Sequence, residues 1–211
     1  MSQRRLALLL AGGSAGALIA MVVVSVATGA TQEAHEHYHP PAEYATNLLA
    51  HAGGLRLIMG IDVAFLVLYT AFFAVLAGYL RKLGQSTWLA LGALIAVTVL
   101  DILEDHHILG LLSLAENGRP IDDSAIVLQE MLSATKFTFS YLAFFLFGLA
   151  VPRTTRLGWV LAIFLTAGTL VTAVVGVASP PSLREAIDGG RWLGFLGGFV
   201  LVAIWLRRAE D

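Results

Sequence analysis

Long apolar stretches with almost no charge are the feature that most limits what this chain can fold into. They recur six times, and each can provide the roughly 20 residues that a helix needs to cross a bilayer. Because backbone polar groups in lipid must be paired internally, and the stretches lack strict alternation, helices are favoured over a β-barrel. We therefore predict an all-α, polytopic integral membrane protein whose single domain is a six-transmembrane-helix bundle. The predicted spans cover residues 6–30, 55–80, 88–115, 124–151, 157–178 and 190–208 of the chain 1–211.

The composition agrees with a membrane protein and limits its partners. The 211 residues are 57% hydrophobic and 13% charged, and the mean hydropathy is +0.78, whereas about 25% of the residues in a soluble domain are charged. The apolar composition makes the lipid bilayer the expected partner. A net charge of −2 argues against a nucleic-acid partner. The absence of cysteine excludes disulfides, thiolate catalysis and cysteine metal ligands.

The positions of the Lys and Arg residues predict the orientation of the bundle. If the N-terminus is cytoplasmic, eight of the 13 basic residues lie at inner termini or loops, as the positive-inside rule requires. All six histidines and all acids except the last two residues then fall on the outer side or in the outer halves of spans. We expect a multi-pass protein of the cell membrane with both termini in the cytoplasm. The inner basic residues are Arg4, Arg5, Arg81, Lys82, Arg153, Arg156, Arg207 and Arg208.

The first apolar stretch has two interpretations. Arg4 and Arg5 precede it, and the small residues Thr28, Gly29 and Ala30 resemble a cleavage site, as in a signal peptide. A signal core usually has 7–15 apolar residues, and this stretch is longer, so an uncleaved helix is favoured. Cleavage would leave a five-helix bundle with its other spans unchanged.

Five ionisable side chains interrupt the third span between Asp101 and His107. Such groups are costly in lipid or in a packed interior unless they face one another, water or an ion. At 100° per residue, Asp101, Glu104 and Asp105 share one helix face, His107 flanks that face, and His106 points away. This cluster is the candidate functional site.

The fourth span carries a second polar arc, which contains Glu130 and Lys136. Lys136 is the one Lys or Arg deep within any predicted span. The second span carries Asp62 near its outer end, and a lone carboxylate at that depth needs a partner. We therefore predict that Asp62, Asp101, Glu104 and Lys136 line one polar pocket that opens to the outer side.

The outer segment 31–54 contains three alternating histidines, His35, His37 and His39. The prolines that follow them oppose a helix, and in an extended chain the three imidazoles would project to one side and could bind Cu, Zn or Ni. A solvated loop with incidental histidines is the alternative. After Pro41 we predict a short interfacial helix.

Carboxylates and imidazoles on neighbouring helices could form a mononuclear site for Zn, Cu, Mn or Fe. The pair Glu104 and His107 matches the Glu-x-x-His element of di-iron bundles, but the chain has no second such pair. The candidate metal ligands are Asp62, Asp101, Glu104, Asp105, His107 and Glu130, with His35, His37 and His39 as a separate set and Lys136 as part of the ion network.

These residues predict a membrane protein whose outward-facing acid, His and Lys cluster binds or moves a cation, either a divalent metal ion or a proton. One alternative is a metal-dependent intramembrane hydrolase that acts on a lipid or peptide. Another is a structural or accessory subunit in which the cluster is a buried salt-bridge network. Whether the protein is an enzyme stays open. The four-residue spacing of Gly190, Gly194 and Gly198 predicts a packing face for a helix partner.

Overall fold

The computed structural model describes residues 1–208, apart from the side chains of Pro181, Arg184 and Glu185. The described part of the chain is helical, with short turns and no strand. A long helix covers most of each of the six apolar stretches, and one short helix lies in the outer segment. In chain order the helices are α1 (Gln3–Thr28), α2 (Pro41–Ala50), α3 (Ala52–Lys82), α4 (Trp88–Glu116), α5 (Asp123–Ala150), α6 (Arg156–Ile163), α7 (Thr169–Ala178) and α8 (Arg184–Arg208).

Five helices in the described residues are long and apolar enough to cross a membrane, and this is the pattern of a multi-pass membrane protein. The sixth long helix, α4, differs because every stretch of 18 residues within it contains Asp101, Glu104 and Asp105. The five apolar helices are Gln3–Thr28, Ala52–Lys82, Asp123–Ala150, Arg156–Ala178 and Ala186–Arg208.

The long helices form a closed ring. Helix α1 packs along α3, α3 against α4, and α4 along α5; α5 contacts α7, α7 contacts α8, and α8 returns to α1. The faces that point into the ring are apolar in the half of the bundle away from segment 31–54, where the ring centroid of Phe73 lies 4.9 Å from those of Phe72 and Phe147. The polar residues of α3, α4 and α5 therefore meet inside the ring rather than at its surface.

The junction between α1 and α3 shows how closely these two helices approach. Helix α1 ends at Thr28 and is capped by Gly29, whose φ of 71° lies in the left-handed region that glycine tolerates. Opposite this end, a Cβ on Gly54 would collide with the side chains of Thr28 and Ala30. Glycine at position 54 thus permits the contact that brings the outer segment over the bundle.

The outer segment does not adopt the predicted extended chain. Residues Glu33–His35 form a 3₁₀ turn, and the predicted short helix α2 follows with Pro41 in its first turn, where a missing N–H has no cost. Tyr44 and Leu48 are the buried residues of α2. This turn shows that the prediction of an extended backbone is wrong. Glu36, which follows the turn, is 4% exposed and points into the bundle.

Helices α6 and α7 are one continuous helix interrupted by a π-helical turn at Phe164–Gly168. A π turn widens a helix locally and is found frequently at functional sites. Here it packs against α5, and Leu165 is buried.

Candidate cation site

The acidic face of α4 points into the ring. Asp101, Glu104 and Asp105 are buried, whereas His106 is exposed and His107 is half-buried. This is the arrangement that the helical periodicity predicts for these five residues.

Lys136 on α5 is the basic group at the centre of the cluster. Its Nζ contacts a carboxylate oxygen of Glu104 and lies 3.1 Å from Oδ1 of Asp101. A third carboxylate oxygen, Oε1 of Glu36, lies 3.7 Å away. Glu104 is held further by hydrogen bonds from Ser133 and Gln129, also on α5. One ammonium group therefore serves three carboxyl groups, two from α4 and one from the outer segment.

Glu36 links this centre to a second basic residue on α8. Its Oε2 lies 3.8 Å from Nη1 of Arg191, which donates a 2.7 Å hydrogen bond to Asp188. Burial outweighs the nearby positive charge of Lys136 and raises the pKa of Glu36 to about 8. Glu36 is thus a buried acid that holds its proton more firmly than an exposed glutamic acid does.

Carboxyl groups outnumber basic groups in this interior. Six are buried, and among the described side chains just two Lys or Arg residues, Lys136 and Arg191, contact them. Four carboxylates would lack a counter-charge if all six were ionised, so protons or a bound cation must supply the difference. The six acids are Glu36, Asp62, Asp101, Glu104, Asp105 and Asp188.

Three of these acids form a group that could hold a metal ion. One carboxylate oxygen from each of Asp62, Asp101 and Asp105 lies within 4.8 Å of the other two. Gln32 of the outer segment donates a 3.2 Å hydrogen bond to Oδ1 of Asp105. The other oxygen, Oδ2, is buried without a hydrogen-bond partner among the described residues, and Asp105 as a whole is 2% exposed. A buried carboxylate oxygen of this kind can take a cation, a proton or a water molecule as its partner.

A cavity of about 90 Å³ adjoins the group and is lined by Asp62, Asp101 and Lys136, together with aromatic rings of α3, α5 and α8. This volume has room for several water molecules. The cavity shares Gln32 and Trp192 with a wider hollow of about 1090 Å³ between the outer segment, α1 and α8. The wider hollow therefore lies next to the cavity that Asp62 and Asp101 line.

The other predicted ligands of the cluster have different surroundings. Glu104 forms an ion pair with Lys136, and Nδ1 of His107 lies 2.9 Å from Oε1 of Gln129. Glu130 is half-buried. Glu104, His107 and Glu130 do not join the group of three aspartates, which is the one cluster of three or more such ligands in the described residues.

The three histidines of the outer segment are directed apart. His35 is buried with its ring against Tyr44 at a centroid distance of 5.3 Å, and burial lowers the pKa of His35 to about 4. Nε2 of His37 lies 3.8 Å from Asp188, and His39 lies 3.4 Å from Glu43. The three side chains do not form a close group of ligand atoms in this structure, and metal binding by these histidines stays a prediction.

Two hydrolase-like sequence patterns lie outside the structural context that their chemistry needs. The run from His35 to His39 reads H-E-x-x-H, but these residues are not on an α-helix, which would place both imidazoles on one face. Gly12–Gly16 reads G-x-S-x-G, but Ser14 lies within α1 and its hydroxyl donates to the carbonyl of Leu10. A nucleophilic serine of that motif sits on a strand-to-helix turn.

Sequence reasoning missed four residues of the interior, namely Gln32, Glu36, Asp188 and Arg191. Gln32 and Glu36 lie in a loop, whose path no periodicity predicts. A signal did exist for the other two, because Asp188 and Arg191 are spaced i, i+3 on a helix and can pair there. The excess of acids over Lys136 also indicated that a further cation was missing.

Three hydroxyl groups of α3 and α4 form a short chain near the aspartates. The Tyr69 hydroxyl lies 3.3 Å from Oγ1 of Thr98, which lies 2.9 Å from Oγ1 of Thr70. Tyr69 also lines the cavity that contains Asp62 and Asp101. These groups connect the site to the middle of α3 and α4.

The comparisons with known proteins add no family to this description. No protein-family model matches the sequence, and no curated protein or solved structure matches it significantly.

Proposed function

We propose that this membrane protein binds a divalent cation at Asp62, Asp101 and Asp105, with access from the outer side. The observation that carries the proposal is the unpartnered, buried Oδ2 of Asp105 beside two further aspartates whose ligand oxygens lie within 4.8 Å of each other. Three buried carboxylates with one nearby ammonium group are unstable without added positive charge. A divalent ion supplies that charge at the point where it is missing.

The ligand set favours a hard cation. All three side chains offer oxygen, and carboxylates suit Mn²⁺, Ca²⁺ and Mg²⁺ better than soft metals. Ca²⁺ binds oxygens at about 2.3–2.6 Å, so oxygens on opposite sides of the ion are about 5 Å apart, which suits the spacing of the three aspartates. Among the metals predicted from the sequence, Mn²⁺ therefore fits better than Zn, Cu or Fe, and Ca²⁺ joins it as a candidate.

Lys136 has a defined part in this proposal. It neutralises Glu104 and contacts Asp101, so it leaves Asp62 and Asp105 for the ion. The positive charge of Lys136 also repels any additional cation that approaches the site. Carboxylates must lose their protons to bind the ion, so its affinity falls as the pH falls.

Ion-dependent thermal stability of the purified protein tests the proposal. A ligand at 100 times its Kd stabilises the folded state by about 2.7 kcal/mol, which corresponds to a rise in Tm of roughly 5–10 °C for a chain of this size. We expect this rise with Mn²⁺ or Ca²⁺ and not with K⁺. Metal analysis of the purified protein identifies the ion that it carries.

Asp105→Asn and the matched control Asp122→Asn distinguish the site from general acidity. Asp122 is exposed, and its side chain makes no cap hydrogen bond. Asp105→Asn should abolish the ion-dependent rise in Tm, and Asp122→Asn should retain it. An equal ion response in the two variants, or none in the unmodified protein, would reject the cation site.

A proton is the second candidate for the cation, and the hydroxyl chain from Tyr69 to Thr70 supports it. If the aspartates carry a proton that moves along this chain, the protein should release or take up protons in liposomes that hold a pH gradient. The chain would then carry the proton from the cavity to Thr98 of α4 and on to Thr70 of α3.

We also propose that all six long helices cross the cell membrane, with both termini in the cytoplasm. The basic residues at the inner loops support this orientation, and α4 can be accommodated because its acids face the ring rather than lipid. Reporter fusions at Pro120, between α4 and α5, should be extracytoplasmic. A cytoplasmic reporter there would overturn the topology.

The two remaining alternatives differ from ion binding in what can be measured. A metal-dependent hydrolase would cleave a lipid or peptide in the presence of the ion, with the ion activating water. An accessory subunit would copurify with other membrane proteins and show no ion response. Assays of the same purified protein therefore separate all three functions.

A further inference from the structure

A second cavity, which the aspartates do not line, lies between α3, α5, α7 and α8 and shares a wall with the first cavity, including Phe137, Ser140 and Arg191. Its volume is about 280 Å³. Seven of the 11 phenylalanines line it, and the remaining wall combines glycines and aliphatic residues with the polar side chains of Ser140, Tyr141, Thr169, Thr172 and Arg191. The seven are Phe72, Phe73, Phe137, Phe144, Phe164, Phe195 and Phe199.

The glycine face of α8 forms one wall of this cavity. A Cβ added at Gly190 or Gly194 would meet no atom within 4 Å, and at Gly198 the nearest would be an atom of Phe164 at 3.7 Å. Within the chain these glycines therefore leave a space open instead of packing against a helix. A helix partner from another chain stays a prediction.

Two unpaired hydrogen-bond donors lie at one end of the aromatic cavity. Nε of Arg191 and the hydroxyl of Tyr141 are buried atoms without a hydrogen-bond partner among the described residues. Nη2 of Arg191 and the same hydroxyl lie 3.4 and 3.5 Å from the point that a Cβ on Gly176 would occupy. An acceptor oxygen held against the bare Cα of Gly176 is therefore close to both side chains.

The surroundings of Arg191 determine what kind of acceptor fits. Its charge is already matched by Asp188 at 2.7 Å and approached by Glu36 at 3.8 Å, and its guanidinium lies 3.9 Å from the ring centroid of Phe137. A further anion would be repelled by these carboxylates, whereas a neutral carbonyl oxygen can accept from the remaining N–H groups. Aromatic walls also favour a planar ring through stacking and edge-to-face contacts.

We propose that this cavity binds a planar, uncharged ring compound with a carbonyl oxygen, of the quinone class. The ring lies among the phenylalanines, and the carbonyl accepts hydrogen bonds from Tyr141 and Arg191. The π turn at Phe164–Gly168 supports the assignment, because Phe164 and Gly168 both line the cavity and such turns recur at binding sites. The proposal does not depend on the cation site.

Calorimetric titration of the purified protein with menadione and with methylnaphthalene tests the role of the carbonyl. The two probes share a fused ring, and only menadione has carbonyl oxygens. The chain has no cysteine, so thiol addition to menadione cannot imitate binding. We expect methylnaphthalene to bind at least about tenfold more weakly, because it leaves the buried donors unpaired. Equal affinities, or no menadione binding, would overturn the proposal.

Two variants locate the binding site. Tyr141→Phe should weaken menadione binding roughly three- to tenfold by removing one hydrogen bond and should leave methylnaphthalene binding unchanged. Gly194→Leu should fill the cavity and abolish menadione binding. Its matched control is Gly92→Leu, an exposed position on α4 with equally open space. Equal menadione binding by both leucine variants would place the ligand elsewhere.

Two further arms separate this proposal from its alternatives. Dodecanoic acid offers a charged carboxylate on a flexible chain, and tighter binding of this probe than of menadione would reject the planar, neutral ligand. Titrations with EDTA separate the cavity from the cation site, because menadione binding should persist when divalent ions are removed. Loss of menadione binding in EDTA would mean that the two sites are one.

Discussion

Lys136 of α5 and Glu36 of the outer segment meet inside the bundle, with Nζ and Oε1 separated by 3.7 Å. The two residues are exactly 100 positions apart in the sequence, and neither helix periodicity nor hydropathy relates them. The contact attaches the loop to the polar interior, so the outer segment is part of the candidate site rather than a cover over it.

Removing the ammonium of Lys136 should destabilise the protein strongly. Lys136→Met leaves buried carboxylates without their counter-charge, and breaking such a pair costs roughly 3–5 kcal/mol. The measurement is reversible unfolding in detergent, with Lys82→Met, an exposed lysine, as the control. Adding Glu104→Gln to Lys136→Met should recover part of the loss. A double variant no more stable than Lys136→Met alone would contradict a charge-based explanation.

Glu36 should make the protein less stable as the pH rises towards 8. Its pKa rises from the usual value near 4.5 to about 8 in the folded state, mainly through burial. The folded state therefore holds a proton that the unfolded state has lost, and this contribution is complete below about pH 4.5 and lost as the pH passes 8. The slope for one proton is about 1.4 kcal/mol per pH unit.

The variant Glu36→Gln keeps the shape of the protonated acid and cannot ionise. Its free energy of unfolding should change less between pH 6.5 and 8 than that of the unmodified protein. The groups that face Glu36 are Lys136, Glu104, Glu33 and Arg191, and all of them remain in the variant. Identical pH profiles would show that Glu36 does not titrate in this range.

His35 should act in the opposite direction on the acid side. Burial, with smaller effects of His51 and His39, lowers the pKa of His35 from 6.5 to about 4. The neutral imidazole then stabilises the folded state above pH 6.5, and this contribution is lost as the pH falls to 4. His35→Phe preserves a ring against Tyr44 and should flatten the loss. His106→Phe, at an exposed position, should leave the profile unchanged.

Adjacent glycines at the start of α3 should respond oppositely to the same substitution. Gly54→Ala places a methyl group where Thr28 and Ala30 already lie, and overpacking of this kind costs about 1–3 kcal/mol. Gly53→Ala meets no atom within 4 Å and should stabilise the helix by about 0.5–1 kcal/mol. Thermal unfolding of the two variants checks the close approach of α1 to α3. Equal effects would contradict it.

The hydroxyl chain should matter for protons and not for metal ions. Thr98→Val removes the hydroxyl that lies between Tyr69 and Thr70 while it keeps the shape of the side chain. If the chain carries protons, proton flux in liposomes should fall while the ion-dependent rise in Tm persists. A variant with unchanged flux would leave the divalent ion as the remaining candidate for the cation.

Much of the fold was predictable because apolar length is a strong signal. The all-helical character is confirmed, and five of the long helices in the described residues have the length and apolarity to cross a bilayer. Helix α4 is the exception, because Asp101, Glu104 and Asp105 interrupt its apolar run. The same acids make α4 the helix that carries the candidate site. Periodicity also indicated which residues of α4 and α5 face inward, because helix geometry is local.

The candidate site was less predictable because half of it comes from contacts distant in sequence. Asp62, Asp101 and Lys136 line one cavity, as helix faces and depth suggested. Gln32 and Glu36 entered through a turn that depends on the packing of α2 over the bundle, and such loop paths leave no periodic pattern. The aromatic cavity was also missed, because the spacing of Gly194 and its neighbours is equally typical of a packed helix pair.

The closed ring has a consequence for how the protein assembles. The first helix contacts the last one described, and Arg4 donates a 3.3 Å hydrogen bond to the carbonyl of Arg207. Contacts so distant along the chain form slowly, and during synthesis α8 emerges after every other helix in the ring. Until α8 is in place, Glu36 lacks Arg191 and the carboxyl groups face an open gap. The nascent protein must therefore shield its acids by protonation, by water or by a chaperone until the ring closes.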